Sequence, residues 1–218
     1  MNSSQLHSRS ASQIKWVLPF LFLLTLLPLI FAQESVHLTY NLREAETGKS
    51  ITNMTVQIKE TNLKTDKVLS ITEYLATNTA DVYLAPGEYR IEFIIDDIDT
   101  PGKDYYYSES IQVTDDKENT VYAFPVASLR GTVVDKLNNI VNGAEIKLDC
   151  DKDYVARVNI TTDKYGSFNT PIVPTGNCII IAVYKDFHDQ QEVAFNHGDF
   201  ESIDLALNTQ TNSSFALF

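Results

Sequence analysis

The stretches "LAPGEYRIEFIIDD", residues 84–97, and "VPTGNCIIIAVYKD", residues 173–186, match each other when Gly87 is aligned with Gly176. The offset between them is 89 residues. In both, a glycine-containing turn leads into a run rich in apolar and β-branched residues, which is the pattern of a strand that follows a turn. A repeat at this spacing indicates two related units in tandem.

The segments around these stretches occur in the same order in each unit. The pairs are "MTVQIKE" with "AEIKLDC", "ESIQVTD" with "QEVAFNH", and "NTVYAFPV" with "ESIDLALN". Short runs rich in Val, Ile, Thr and Tyr alternate with turn clusters, and no segment after residue 33 keeps a helical period over three turns. The sequence therefore predicts an all-β fold of two tandem β-sandwiches.

The second unit carries a more specific pattern, "GTVVDKLNNIVNGAEIKL" at residues 131–148 and "TTDKYGSFNTPIVPTGNCIIIAV" at residues 161–183. It is similar to the carboxypeptidase regulatory-like, or transthyretin-like, family. The matching positions are Gly131, Val133, Asp135, Val141, Gly143, Ala144, Ile146, Thr162, Asp163, Gly166, Phe168 and Gly176. The resemblance covers roughly residues 127–207 and implies an Ig-like or transthyretin-like sandwich. In the first unit it rests on "LAPGEYRIEF" and the strand order.

The N-terminus has the features of an export signal. The first 33 residues contain no Asp or Glu, and an apolar run of 17 residues extends from Trp16 to Ala32. That length is at the lower limit for spanning a bilayer, so cleavage after Ala32 and retention as a membrane anchor are both open. Either outcome places the remainder outside the cytoplasm. The expected organisation is signal or anchor 1–32, first sandwich 33–126, second sandwich 127–208 and tail 209–218.

Charge and histidine placement exclude several classes of function. The chain has 17 basic and 29 acidic residues, a net charge of −12, which opposes binding to nucleic acid. None of the histidines after the signal, His37, His188 and His197, follows a nucleophile motif, so we expect no catalysis. A metal or acid–base site of His188 and His197 with Asp189 and Asp199 requires two loops to meet; the alternative is exposed loop histidines.

An acidic cluster makes calcium the one cofactor to consider. "DCDKDY" places Asp149, Asp151 and Asp153 at alternate positions, and calcium binds several oxygens from one loop. The EF-hand pattern does not fit, because its sixth position is Tyr154 rather than glycine. The alternative is a polar strand edge, since alternate strand residues share one face. We therefore expect no obligatory cofactor, with calcium as a candidate ligand.

The loop and strand "IDDIDTPGKDYYYSES" contain the candidate binding residues. Tyr105 and Tyr107 share one face of a strand, and Asp97 and Asp99 precede them in a turn. Tyrosine rings stack on sugars or anchor protein partners, while the alternative is that these rings divide between core and surface. The repeated stretches are expected to be scaffold, so a site is expected in unrepeated loops such as residues 96–107.

Two covalent features suit an exported chain. Cys150 and Cys178 are the only cysteines, which predicts one disulfide. N-glycosylation sequons occur at Asn53, Asn159 and Asn212.

These observations predict a non-catalytic extracytoplasmic binding or structural module with a protein partner, such as a subunit of a cell-surface or membrane complex. The alternative is a carbohydrate-binding accessory protein. The tyrosine cluster prompts that alternative, and so does the family resemblance, because such sandwiches often accompany carbohydrate-active or peptidase domains.

Overall fold

A computed structural model describes residues 35–155 and 160–210. Within these ranges the regular structure is entirely β, and no helix there is long and apolar enough to cross a membrane. The expected signal or anchor at residues 1–32, the sequons at Asn159 and Asn212, and most of the tail lie outside the described residues.

Fourteen strands are formed by the described residues. They are β1 (Val36–Glu44), β2 (Met54–Asn62), β3 (Lys67–Ala76), β4 (Thr79–Leu84), β5 (Gly87–Asp96), β6 (Tyr105–Val113), β7 (Lys117–Asp135), β8 (Glu145–Cys150), β9 (Ile160–Thr161), β10 (Ser167–Pro174), β11 (Gly176–Tyr184), β12 (Phe187–Phe195), β13 (Phe200–Leu207) and β14 (Thr209–Gln210).

The strands assemble into two sheets. One has nine strands in the order β3-β2-β5-β6-β7-β1-β4, with β10 and β13 also paired to β7. The other has five strands in the order β14-β12-β11-β8-β9. The all-β prediction is confirmed for the described residues.

Strand β7 is 19 residues long and changes partners along its length. Its first part pairs parallel with β1, Phe124 and Pro125 pair with β6, and its last part pairs with β10 and β13. Proline has no N–H to give to a ladder, and Pro125 lies where the partner changes. No loop therefore interrupts the chain where the two halves of the sequence meet.

The strand pairings of the second half repeat those of the first. β1 pairs antiparallel with β4 and parallel with the first part of β7, while the last part of β7 pairs antiparallel with β10 and parallel with β13. Likewise β2 lies between β3 and β5, and β8 lies between β9 and β11. Gly87 and Gly176 each begin a strand, as the alignment predicts.

Buried side chains form two hydrophobic clusters. The first extends from Val36 to Ala123 and includes Tyr40 and Phe93, whose rings meet edge to face at 4.9 Å. The second extends from Ala127 to Leu207. Alternation along the strands produces both clusters, because every second residue points inward. The expected domain boundary after residue 126 falls inside β7, between these clusters.

The turn at residues 163–166 is formed by an aspartate and a glycine. Asp163 Oδ1 accepts hydrogen bonds from the backbone N–H groups of Tyr165 at 2.8 Å and Ser167 at 2.9 Å. Gly166 has φ +70°, a conformation that favours glycine. Phe168 then enters the second cluster, so this turn is scaffold.

Candidate functional site at the junction of the two halves

The predicted disulfide is present. Cys150 and Cys178 are directly opposite on β8 and β11, and their sulfurs are bonded. A cleft of about 610 Å³ lies beside them and is lined by Asp149, Asp151 and Glu192, among others.

The three aspartates predicted as calcium ligands are not gathered into one site. Asp149 and Asp151 line the cleft, and Asn177 Nδ2 donates to Asp151 Oδ2 at 3.2 Å. Asp153 does not line it. Within residues 35–155 and 160–210, no group of three or more His, Cys, Asp or Glu side chains is placed to hold a metal ion.

The predicted binding tyrosines contribute to the first core. Tyr105 is buried in the first cluster and Tyr107 packs against it, whereas Tyr106 belongs to neither cluster, as strand alternation requires. The Tyr105 hydroxyl donates to Glu44 Oε1 at 3.0 Å. Burial, and then this carboxylate, raises the pKa of Tyr105. A buried ring does not offer the open face that stacking on a sugar needs.

The acidic loop 96–104 is organised around one buried carboxylate. Asp104 is fully buried, and its Oδ2 accepts the N–H of Asp97 at 2.6 Å and the hydroxyl of Thr100 at 2.8 Å. Asp99 stays near the surface and donates its N–H to Asp97 Oδ1 at 3.1 Å. Burial raises the pKa of the Asp104 carboxyl, and the hydrogen bonds oppose that shift. The loop is thus held by its own hydrogen bonds.

Loop 96–104 packs on the turn at residues 196–199 of the second half, and we call this contact the 104–197 junction. His197 Nε2 lies 3.3 Å from Asp104 Oδ1, and its ring centroid lies 4.5 Å from that of Tyr105. Gly102 donates its N–H to Gly198 O at 2.9 Å. A Cβ on Gly102 would stand 2.0 Å from the backbone oxygen of Asp199, so only glycine fits this approach.

Backbone hydrogen bonds extend the junction into β7. Val126 donates to Asp104 O at 2.7 Å, Gly198 donates to Val126 O at 2.9 Å, and Ser128 donates to Asp199 O at 2.8 Å. The loop, the turn and the central strand therefore form one hydrogen-bonded unit.

A second contact joins the halves at Tyr154. Its ring stacks on Phe124 with centroids 4.6 Å apart, and its hydroxyl donates to Pro125 O at 2.6 Å. The same hydroxyl accepts the N–H of Thr175 at 3.0 Å. Nearby, Lys152 Nζ forms an ion pair with Glu46 at 3.2 Å.

A buried polar group also lies within the first half. Tyr40 and Asn119 are directly opposite on β1 and β7. Tyr40 Oη, Asn119 Nδ2 and Glu109 Oε1 are buried without a well-formed hydrogen bond to any described residue. Burial, and then the charge of Glu109, raises the pKa of Tyr40. Only Tyr40 of the three is a core residue, since Glu109 and Asn119 are half-buried.

The two histidine–aspartate pairs considered from sequence do not meet as one site. His197 faces Asp104, while Asp199 Oδ2 accepts the N–H of Asn196 at 2.8 Å and Asp189 Oδ2 accepts that of Ala206 at 2.9 Å. Neither the Asp104–His197 pair nor the Tyr154 contact could be predicted from the sequence. Each joins residues far apart in the chain, and only the glycine in "TPGKD" hinted at a close approach.

The arrangement at the 104–197 junction suits mechanical coupling. Asp104 Oδ2 accepts hydrogen bonds from the Asp97 N–H and the Thr100 hydroxyl. The other oxygen, Oδ1, faces the imidazole of His197. The hydrogen bonds to Oδ2 order the loop, while Oδ1 is buried without a well-formed hydrogen bond to a described residue. The 104–197 junction holds loop 96–104 of the first half on the turn at residues 196–199 of the second half.

Comparisons with known proteins do not place the chain in a family. No protein-family model and no curated protein matches it, so the carboxypeptidase regulatory-like resemblance stays a prediction. Among solved structures, a leucine-rich repeat protein from Bacteroides thetaiotaomicron matches at 10% identity and TM-score 0.43, over 82% of this chain and 26% of that one.

Two further solved structures are similar over most of this chain. The TIE protein of Bacillus anthracis matches at 13% identity and TM-score 0.35, over 80% of this chain and 34% of that one. The shaft pilin spaA of Lactobacillus rhamnosus GG matches at 11% identity and TM-score 0.30, over 81% and 98%. This chain thus spans about a third of the TIE protein. With TM-scores this low, these likenesses assign neither partner nor assembly.

Proposed function

We propose that the chain is a non-catalytic structural and binding module that acts outside the cytoplasm. In this proposal its two hydrophobic clusters are the cores of two tandem Ig-like or transthyretin-like sandwiches. The observation that carries it is the continuity of β7 through both halves, together with the 104–197 junction and the Tyr154 contact. When the two halves are held in one relative position, the loops that contact a protein partner are already ordered. Binding then carries a smaller entropic cost of ordering them.

Three further features support an extracytoplasmic role. The Cys150–Cys178 disulfide is typical of oxidising compartments. Asn53 of the first sequon is exposed in a turn, where a glycan would have room. The apolar run at residues 16–32 follows a basic flank, and in this proposal it exports or anchors the chain.

Protease accessibility and cross-linking in the cell of origin test the proposal. We expect the tagged full chain to be cut by protease added to intact cells and to cross-link in a stoichiometric ratio to a protein partner. Protection from protease in intact cells, or recovery of the chain alone, would contradict the proposal.

A matched pair of variants tests whether the fixed geometry matters for the partner. Gly102→Ala forces the junction apart, because the new Cβ meets the backbone of Asp199. Gly48→Asn serves as the control, since Gly48 has φ +70°, which asparagine tolerates, and no atom lies within 4 Å of an added Cβ. We expect Gly102→Ala alone to lose the partner. Equal partner recovery by both variants would show that coupling of the halves is not required.

A further inference from the structure

Strand β3 is an open edge of the nine-stranded sheet. Its ten residues, Lys67–Ala76, pair with β2 on one side, and no described strand pairs with the other side. The strand contains no proline, and Lys67 and Glu73 are its only charged residues. An open edge presents unpaired backbone N–H and C=O groups, and soluble proteins usually protect long edges with charges, prolines, bulges or a covering element.

The outward face of β3 carries apolar side chains. Val56 of β2 points into the first cluster, so Thr55 and Lys59 of the same strand point outward. Their partners on β3 are Leu75 and Ile71, which are 70% and 60% exposed. Exposed apolar side chains on an open edge favour association with other chains.

A bulge protects one end of this edge. Glu60 pairs with Ser70 and Thr61 pairs with Val68, so Leu69 is an extra residue on β3. Bulges increase the local twist of a strand, and a twisted edge pairs poorly with another strand. The other end of β3, where Leu75 lies, has no such irregularity in its register with β2.

An N-glycosylation sequon lies at this other end of the β2–β3 ladder. Its residues are Asn53, Met54 and Thr55, and Asn53 is exposed. Asn53 donates its N–H to Thr77 O at 3.2 Å, which continues the ladder by one position beyond the pair of Met54 with Ala76. Leu75 is two residues from Thr77, about 7 Å along the strand. The sequon asparagine is therefore next to the unprotected end of β3.

The second half has glycine at the position equivalent to Asn53. Aligning "MTVQIKE" with "AEIKLDC" sets Asn53 against Gly143, and both have positive φ, 58° and 76°. Gly143 makes the equivalent hydrogen bond, from its N–H to Thr162 O at 3.0 Å. Glycine adopts this conformation with less strain than asparagine. Since the backbone favours glycine here, the asparagine points to a role for its side chain.

We propose that Asn53 carries an N-linked glycan that covers the Leu75 end of β3 and keeps other strands from pairing with this edge. The inference rests on the proposed function, because such glycans are added to exported chains. The donor is an oligosaccharide on a lipid diphosphate. Asn53 Nδ2 bonds to the anomeric carbon of the sugar, the bond from that carbon to the diphosphate breaks, and the lipid diphosphate and one amide proton leave.

Coverage by the glycan decreases along β3. Measured from Thr77, Ile71 lies about 20 Å along the strand and Val68 about 30 Å. The sugars attached to Asn53 reach Leu75 first, and their C–H faces remove its apolar surface from water. Leu75 is therefore covered most and Ile71 less, while Val68 is left to the bulge.

Two substitutions at Thr55 form a matched pair that tests the glycan. Thr55→Ala removes the sequon and Thr55→Ser keeps it, and the two new side chains differ by one hydroxyl oxygen. Both variants leave the sequons at Asn159 and Asn212 intact. Glycopeptide mass spectrometry of the full chain from its cell of origin should find a glycan on Asn53 in the wild type and in Thr55→Ser, and none in Thr55→Ala.

Hydroxyl-radical footprinting measures how far each aliphatic side chain is covered. Leu75 should be oxidised roughly twofold faster in Thr55→Ala than in Thr55→Ser, because covering half of an exposed side chain halves its contact with water. The increase should be smaller at Ile71 and absent at Val68. Leu137, 73% exposed in the second half, is the internal control and should react equally in both variants. Wild type deglycosylated by an enzyme should match Thr55→Ala.

Sedimentation velocity of the full chain in detergent tests protection of the edge. Thr55→Ala should form larger species as its concentration rises, whereas Thr55→Ser should not. Adding Ile71→Lys to Thr55→Ala should restore the behaviour of Thr55→Ser, because lysine on an edge strand opposes pairing. An unmodified Asn53, equal oxidation of Leu75 in the two variants, equal sedimentation, or a double variant that still associates would each overturn the inference.

Protease accessibility separates this inference from the proposed function. If Asn53 is unmodified in a chain that added protease cuts on intact cells, the glycan inference fails and the extracytoplasmic location stands. If the chain is protected from protease and Asn53 is unmodified, both the inference and the proposed function are wrong.

Discussion

Truncating Phe93 tests whether the two halves behave as one cooperative unit. Phe93 is fully buried in the first cluster, and its ring meets Tyr40 at 4.9 Å and Tyr107 at 6.2 Å. Phe93→Ala removes this buried ring and leaves a cavity in the first cluster. The substitution should lower the free energy of unfolding by about 3–5 kcal/mol.

Strand β7 determines how far that loss spreads. Val121 and Ala123 of β7 belong to the first cluster, while Ala127 and Leu129 belong to the second. Unfolding the first half removes the partners of residues 117–125 and the loop side of the 104–197 junction. We therefore expect both halves to unfold together, so that the second half also loses protection in Phe93→Ala.

Hydrogen exchange with peptide-level resolution measures this spread. A loss of 3 kcal/mol should raise exchange in the most protected amides of β5 roughly 150-fold, with a similar increase in β11. Ile180→Ala, in the second cluster, should have the reciprocal effect on β5. The exposed substitution Glu88→Ala should change neither. If Phe93→Ala accelerates exchange in the first half while β11 keeps wild-type protection, the halves unfold independently and β7 does not couple them.

Three further substitutions have defined outcomes. Tyr154→Phe removes the donor to Pro125 O and should lower the free energy of unfolding by about 1–3 kcal/mol in urea titrations. Burial raises the pKa of the Asp104 carboxyl above its ordinary value of 3.8. The folded state therefore favours the protonated carboxyl, and the stability this adds is fully present below pH 3.8 and is lost as pH rises through the folded-state pKa. Urea titrations across that range should therefore show Asp104→Asn gaining stability relative to wild type. Replacing Cys150 and Cys178 with serine opens a loop with a separation of 28 residues, and calorimetry should show a loss of about 3–4 kcal/mol.

The repeat and its turns could be inferred from sequence because their causes are local. A glycine before an alternating run signals a strand start, and Gly87 and Gly176 both begin strands. Asp163 and Gly166 specify a turn through hydrogen bonds and a positive φ that span only a few residues. Cys150 and Cys178 are the only two cysteines in the sequence, so each can form an intramolecular disulfide only with the other.

The junction could not be inferred, because its contacts connect residues distant in sequence. Alternation predicted that Tyr105 and Tyr107 share a face, but that face is buried because it packs on the first cluster, whose members come from strands distant in sequence. Similarly, the repeat places a seam between the units near "FPVASLRG", and the local sequence does not show that one strand runs through it, because proline is rare inside strands. Proline is accepted there because β7 changes partners at that point.

The difference between equivalent connections shows where the two halves diverged. In the first half, β5 and β6 are joined by residues 97–104, and that loop packs on the turn at residues 196–199. In the second half, β11 and β12 are joined by Lys185 and Asp186 alone. β11 begins at Gly176, just after Pro174 pairs with Val126, so its short turn lies at the strand end remote from the junction. The longer connection thus occurs where one half must contact the other, and the tight turn occurs where no such contact is made.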